Sequence, residues 1–166
     1  MDFVLIYDRI GSLSFRQSVW LFPLAYFLHV LEELPHFTNW ARRYAAPGFT
    51  MRAYLTIHVF GIAVALLAPL VIWLFPNRIV IFLFFTIVFT PAVCFNILFH
   101  AGASAAFGVY CPGLITALVL YPPLFVGVSR RAISERLLTS QAALVSFVIA
   151  GFFHAADVSR NVFQLW

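Results

Sequence analysis

Three side chains able to bind a metal or move a proton, His29, Glu32 and Glu33, fall together in the stretch FLHVLEELPHF. On a helix, positions i, i+3 and i+4 share a face. The imidazole and both carboxylates are therefore expected to point into one cavity. Asn96 and His100 repeat the i, i+4 relation, and His154 and Asp157 stand at i, i+3. Together with His58 these residues offer nitrogen and oxygen donors for one divalent metal, or for two. Imidazole with carboxylate suits zinc, iron or manganese, and copper is the redox alternative. Helix-borne Glu and His lining a bundle core is an established way to build such a centre. The expected ligands are His29, Glu32, Glu33, His58, His100 and His154, with Asn96 and Asp157 behind them. The glutamate not holding the metal is the expected general base.

Each residue also has a plainer reading. Glu32 and Glu33 could be a helix end reaching water. A single histidine is more often a hydrogen-bonded packing residue, and Asp157 could pair with Arg160 at i+3. The joint pattern carries more weight than any one residue. The spacing matches neither the HExxH pattern of helical zinc proteases nor its inverse, HxxEH, because position 33 is glutamate.

The elements that must position these groups are membrane spans. The chain has 166 residues, of which 63% are hydrophobic and 10% charged, with a mean hydropathy of +0.98. Soluble domains are about half apolar and about a quarter charged. This composition points to an all-α, polytopic transmembrane helix bundle forming a single domain over residues 1–166. About five spans are expected, near residues 18–35, 52–75, 79–101, 113–128 and 137–156. Pro76 and Asn77 mark a turn. Residues 101–113 read as a small-residue loop, or as a continued helix ending before Pro112. Pro23, Pro69 and Pro91 lie inside spans and predict kinks, and Pro122 and Pro123 fall inside the fourth.

Five crossings carry a parity consequence. The ends of spans one, three and five, and the starts of two and four, face the same side. His29, Glu32, Glu33, His58, Asn96, His100, Tyr110, His154 and Asp157 all fall there, with His36 in a loop on that side. The formal charge of +4 comes entirely from arginine, as lysine is absent. Arginines anchor phosphate headgroups, so membrane lipids are the expected partners and nucleic acid is not. Arg9, Arg16, Arg78, Arg130, Arg131 and Arg136 on one side, against Arg42, Arg43, Arg52 and Arg160 on the other, place the N-terminus in the cytoplasm and the polar cluster opposite. Cys94 and Cys111 sit in apolar surroundings and suggest no disulfide framework. No signal-peptide pattern opens the chain, so the first apolar segment is expected to be retained.

HVLEE is an H-x-x-E-E motif, and NILFH and YCPG follow it in order. Together they resemble the HXXEE family of small integral membrane proteins of unknown function, defined by H-x-x-E-E, a further histidine and Y-x-P-G. The resemblance covers His29, Glu32, Glu33, His100 as the further histidine, Tyr110, Pro112 and Gly113. It implies a membrane domain and supplies no reaction. Tyr110 has two readings: a helix-start device, or a phenol aimed into the cavity as a catalytic proton donor.

The expected function is a metal-dependent membrane enzyme, most simply a hydrolase, acting on a hydrophobic or lipid-like substrate. One alternative is a metal-free acid/base isomerase or cyclase of an isoprenoid or sterol-like substrate, driven by a carboxyl group that low dielectric keeps protonated. Another is an ion or small-molecule carrier.

Overall fold

The computed structural model describes residues 13–165. Arg9, counted in the charge balance, lies outside them, as does most of the N-terminal stretch read for a signal peptide. Among the described residues the fold is all helical, without strands.

A capping box opens the first helical leg. The Ser14 hydroxyl accepts from the Gln17 N–H while Gln17 Oε1 accepts from the Ser14 N–H at 2.9 Å. Two short helices follow with one turn between them, α1 (Phe15–Ser18) and α2 (Leu21–Glu33). An amphipathic helix, α3 (Phe37–Tyr44), buries Phe37, Trp40 and Ala41 and leaves Arg42 and Arg43 outside. The long helices are α4 (Met51–Leu74), α5 (Arg78–Phe107) and, later, α8 (Ser140–Val162). Each begins at a side-chain cap: Thr50 accepts from the Ala53 N–H, Asn77 from Val80 and Thr139 from Ala142. Gly108, at φ +64°, ends α5 in the left-handed conformation. Between α5 and α8 the chain forms α6 (Leu114–Val119) and α7 (Tyr121–Ser134).

These three helices are long and apolar enough to cross a membrane. Only 17% of the apolar window of α4 and 11% of that of α8 are buried within the protein. Outward faces carrying Phe60, Ile79 and Phe152 therefore suit hydrocarbon rather than water. The expectation of five spans is not met on this criterion. The first leg breaks at Val19–Trp20, and the fourth is divided near Leu120. Pro122 and Pro123 are the cause of the second break. They occupy the first turn of α7, where a missing N–H costs nothing. Residues 101–107 continue α5, so the helical reading of that segment holds.

The legs alternate in direction. Phe15 stacks on Phe85 at one end of the molecule, and His29 meets His100 at the other, so α2 and α5 run in the same sense. Glu135, just after α7, accepts from the Phe15 N–H at 2.7 Å, which sets α7 antiparallel to them. The end away from the histidines is an aromatic core of Phe15, Phe22, Phe84, Phe85, Phe89 and Phe125. At the other end Phe37 of α3 packs against Tyr54 and His100 and closes the bundle.

Two helices contain wide turns. The Thr90 N–H bonds to Phe85 O and the Asn96 N–H to Pro91 O, each five residues back. The Phe163 N–H bonds likewise to Val158 O at the end of α8. Pro91 supplies no N–H, so the regular ladder fails at that level and widens. Thr86 satisfies the Phe82 carbonyl with its hydroxyl at 2.7 Å.

Gly61 on α4 sets how closely α2 approaches. A Cβ there would lie 2.2 Å from the Tyr26 hydroxyl oxygen. Tyr26 is buried against Phe22 and His58, so its ring must shift to admit a methyl group. Gly61→Ala is therefore expected to destabilise the bundle by about 1–3 kcal/mol. Thermal unfolding in detergent checks this, and an unchanged midpoint would remove the close contact from the account.

Candidate functional site

Glu33 is the centre. Its carboxylate is buried at the C-terminal end of α2. Three imidazoles approach it, each through Nε2. His29 from α2 lies 3.5 Å from Oε1, His100 from α5 lies 3.3 Å from Oε1, and His58 from α4 lies 3.1 Å from Oε2. His29 and His100 are fully buried with Glu33, and their rings meet edge to face at 4.9 Å.

The far nitrogens of the three rings are also engaged. His29 Nδ1 lies 2.8 Å from Thr116 Oγ1, His100 Nδ1 lies 3.3 Å from Cys111 Sγ, and His58 Nδ1 lies 3.3 Å from the Tyr26 hydroxyl. For His29 the network assigns the proton. The Thr116 hydroxyl has one hydrogen, and its 2.5 Å contact to Glu32 Oε2 is much shorter than its 3.2 Å contact to Gly113 O. It donates to Glu32 and so accepts from His29 Nδ1–H. Nε2 of His29 then meets Glu33 either with a proton, as an imidazolium, or with a lone pair that a metal cation would have to bridge.

The separations bear on which cation. A charge-assisted N–H···O bond spans about 2.7–2.9 Å. Two donors about 2.0–2.1 Å from one tetrahedral metal stand ~3.3 Å apart. The contacts of His100 and His29 with Glu33, at 3.3 and 3.5 Å, fall nearer the second value, whereas that of His58, at 3.1 Å, lies in the ordinary hydrogen-bond range. Donor atoms of His29, Glu33 and His100 all lie within 4.8 Å of one another, and this group could hold a metal ion.

Glu32 leaves the cluster, against the expectation that both glutamates share it. Successive helical residues project about 100° apart, and Glu32 turns to the loop before α6. Its Oε1 accepts from the Tyr110 hydroxyl, from Gly113 N–H at 3.2 Å and from Ile115 N–H at 3.0 Å. Its Oε2 accepts from the Thr116 N–H at 2.7 Å as well as from the Thr116 hydroxyl. With both oxygens so engaged, Glu32 anchors the loop and stands outside the metal-competent group. Tyr110 is its partner and does not line the cavity. Burial and the hydrogen bond to Glu32 push its phenol up to about 12, so it remains a donor at neutral pH.

The anchored loop completes the site. Gly113 has φ +100°, and a Cβ there would lie 2.6 Å from His100 Cε1, 2.7 Å from His29 Cε1 and 3.0 Å from Glu33 Cγ. Backbone without a side chain is what fits against both rings. The H-x-x-E-E and Y-x-P-G segments thus form one unit, Glu33 holding the histidines and Glu32 holding the loop that packs on them.

The HXXEE family, proteins of unknown function with an HXXEE motif, matches residues 20–128. The chain belongs to this family. No curated protein and no solved structure matches it. The matched residues of this HXXEE protein take in His29, Glu32, Glu33, His58, Asn96, His100, Tyr110 and Gly113, but stop short of α8.

The remaining expected residues line a cavity of about 350 Å³ that reaches Glu33, His29, His58 and His100. Asn96, His154 and Asp157 lie on its wall. His154 stacks on Phe95 and makes no contact with Glu33, and Asp157 accepts from Asn161 Nδ2 at 2.7 Å. Neither reaches the metal-competent group. Sequence reasoning missed Tyr26, Thr116 and Cys111. Tyr26 was legible in principle, since positions 26, 29, 30 and 33 form one helical face. Thr116 and Cys111 carry no local signal, because their roles exist only across helices.

Gly113→Ala is expected to weaken the fold by about 1–3 kcal/mol and to displace both histidine rings. Glu32→Gln should leave the cluster in place while loosening residues 110–116. Faster amide exchange at Ile115 and Thr116 in Glu32→Gln, with α5 unchanged, is the measurable sign.

Proposed function

We propose that this chain is a metal-dependent membrane enzyme, most simply a hydrolase, acting on a hydrophobic substrate. The observation that carries the reading is the convergence of three Nε2 nitrogens on one buried carboxylate at the inner end of an apolar cavity. His29, His100 and Glu33 are the ligands, and His58 approaches the second oxygen of Glu33. Neutral imidazole and carboxylate donors suit zinc, iron or manganese. The contacts of Nδ1 with Thr116 and Cys111 resemble the outer partners that orient metal-bound imidazoles.

A cation held by these residues would supply a water activated as a nucleophile at neutral pH. With Glu32 committed to the loop, the Glu33–His58 pair would take the proton and return it to the leaving group of an ester, amide or phosphoester. The lining supports the substrate class: Phe22, Phe37, Phe49, Ile57 and Phe99 surround the approach to Glu33. A site of this kind fits an apolar body with one reactive polar group.

Detergent-purified protein is expected to carry zinc, iron or manganese near one equivalent. Glu33→Gln and His100→Ala should each lower metal occupancy at least tenfold, while Glu32→Gln retains most of it. Elemental analysis after size exclusion checks this. A metal-free preparation that turns over a lipid ester after chelation would overturn the metal reading in favour of acid/base chemistry by Glu33.

A further inference from the structure

Side chains lining the cavity form stripes that lead away from Glu33. On α5, Ile87, Pro91, Ala92, Asn96 and Phe99 follow at helical spacing and end at His100. At about 1.5 Å per residue this stripe is roughly 20 Å long. On α4, Ile57, Phe60, Gly61 and Val64 stand at i, i+3, i+4 and i+7 and share one face. The chamber is not closed off from outside. Phe60, Ile87 and Phe153 line it and are 71%, 52% and 50% exposed. A side chain that lines a chamber while half or more of it is exposed stands at the mouth.

The depth of that mouth decides what it faces. Phe60 lies in Met51–Leu74, Ile87 in Arg78–Phe107 and Phe153 in Ser140–Val162, the three helices suited to crossing a membrane. Each stands at least nine residues from either end of its helix, roughly 13 Å along the axis. The hydrocarbon layer is about 30 Å thick, so residues that far from both ends lie within it. α4 and α8 both pack on Phe84–Phe89 of α5. The mouth is thus bounded by α4 and α8, with α5 behind it.

We propose that this mouth is a lateral entrance from the hydrocarbon layer, and that it admits an uncharged amphiphile dissolved in the bilayer, reactive group first, toward Glu33. A charged group at this depth is costly, and Glu33 and Asp157 on the lining further disfavour an anion. The cavity volume of about 350 Å³ is near the lower end of the range for small-molecule sites, about 300–1,000 Å³. One chain or one compact ring system fills it, and the rest of a larger lipid stays outside, between α4 and α8. The inference rests on this cavity being the substrate site of the proposed enzyme. It names the substrate class and its source, the membrane itself.

The test is photolabelling of the full chain in phosphatidylcholine liposomes. An uncharged alkyl diazirine confined to the bilayer is compared with a charged, water-soluble diazirine. Phe22 and Phe37 are buried and line the cavity, whereas Phe15 and Phe89 are buried away from it. The bilayer probe is expected to label Phe22 and Phe37 about fivefold more than Phe15 and Phe89, read residue by residue by mass spectrometry. Val64→Trp adds bulk one turn beyond Phe60. It should cut the labelling of Phe22 and Phe37 about fivefold and leave that of Phe152, exposed on the outer face, unchanged. Labelling confined to outer faces in wild-type protein overturns the entrance, whether or not the variant folds. Equal labelling of Phe22 and Phe37 by the water-soluble probe overturns it too, by opening the chamber to water. The expected pattern in chelated protein supports the entrance even where the metal reading fails. Its absence in protein that holds stoichiometric metal overturns the entrance alone.

Discussion

A carboxylate removed from water must be compensated where it stands, and Glu33 is buried among helices that hold almost no charge. An unpaired ion in such surroundings is too costly to persist. Three imidazoles on three helices meet it there, so α2, α4 and α5 must all arrive at one point. Their approach is permitted by absent side chains: Gly61 lets α4 close on Tyr26, and Gly113 lets the loop settle on His29 and His100. Tyr54 joins the same arrangement, donating to Val30 O at 3.0 Å while its ring lies 4.2 Å from that of His58.

The adjacent glutamates show how one helix end can serve two purposes. Consecutive side chains diverge by about 100°, so one can turn into the bundle while the other faces the next loop. Glu32 meets the exposed N–H groups that open α6, where an anion is favoured by the unsatisfied donors and the helix dipole. The two roles are linked through Thr116, which touches both Glu32 and His29. The orientation of one ring in the cluster thereby depends on a residue of the supporting loop.

The cavity has a division of its own. Its inner end carries concentrated charge and imidazole, its middle is aromatic, and its outer rim consists of apolar side chains on the lipid-suited faces of α4, α5 and α8. Polar groups at membrane depth are usually turned toward a bundle interior or a cavity, and the histidines other than His36 follow that rule. Proline contributes to this shape. Pro91 forces the wide turn before Asn96, and Pro122 with Pro123 restarts the chain as α7.

Local rules made several features legible in the sequence. The helical class and the apolar stretches of α4, α5 and α8 follow from composition and hydropathy. The i, i+4 pairing of His29 with Glu33 follows from the helical repeat. The H-x-x-E-E to Y-x-P-G order, by which the chain resembles the family, is read directly along the sequence. Tertiary structure alone decided that Glu32 serves the loop, that the first leg is broken, and that His154 and Asp157 stand apart from the metal-competent group. Spacing along one helix states which residues share a face. It does not state what that face meets, because Glu32 and His29 find Tyr110, Gly113 and Thr116 some 78 to 87 positions away, brought near only by packing.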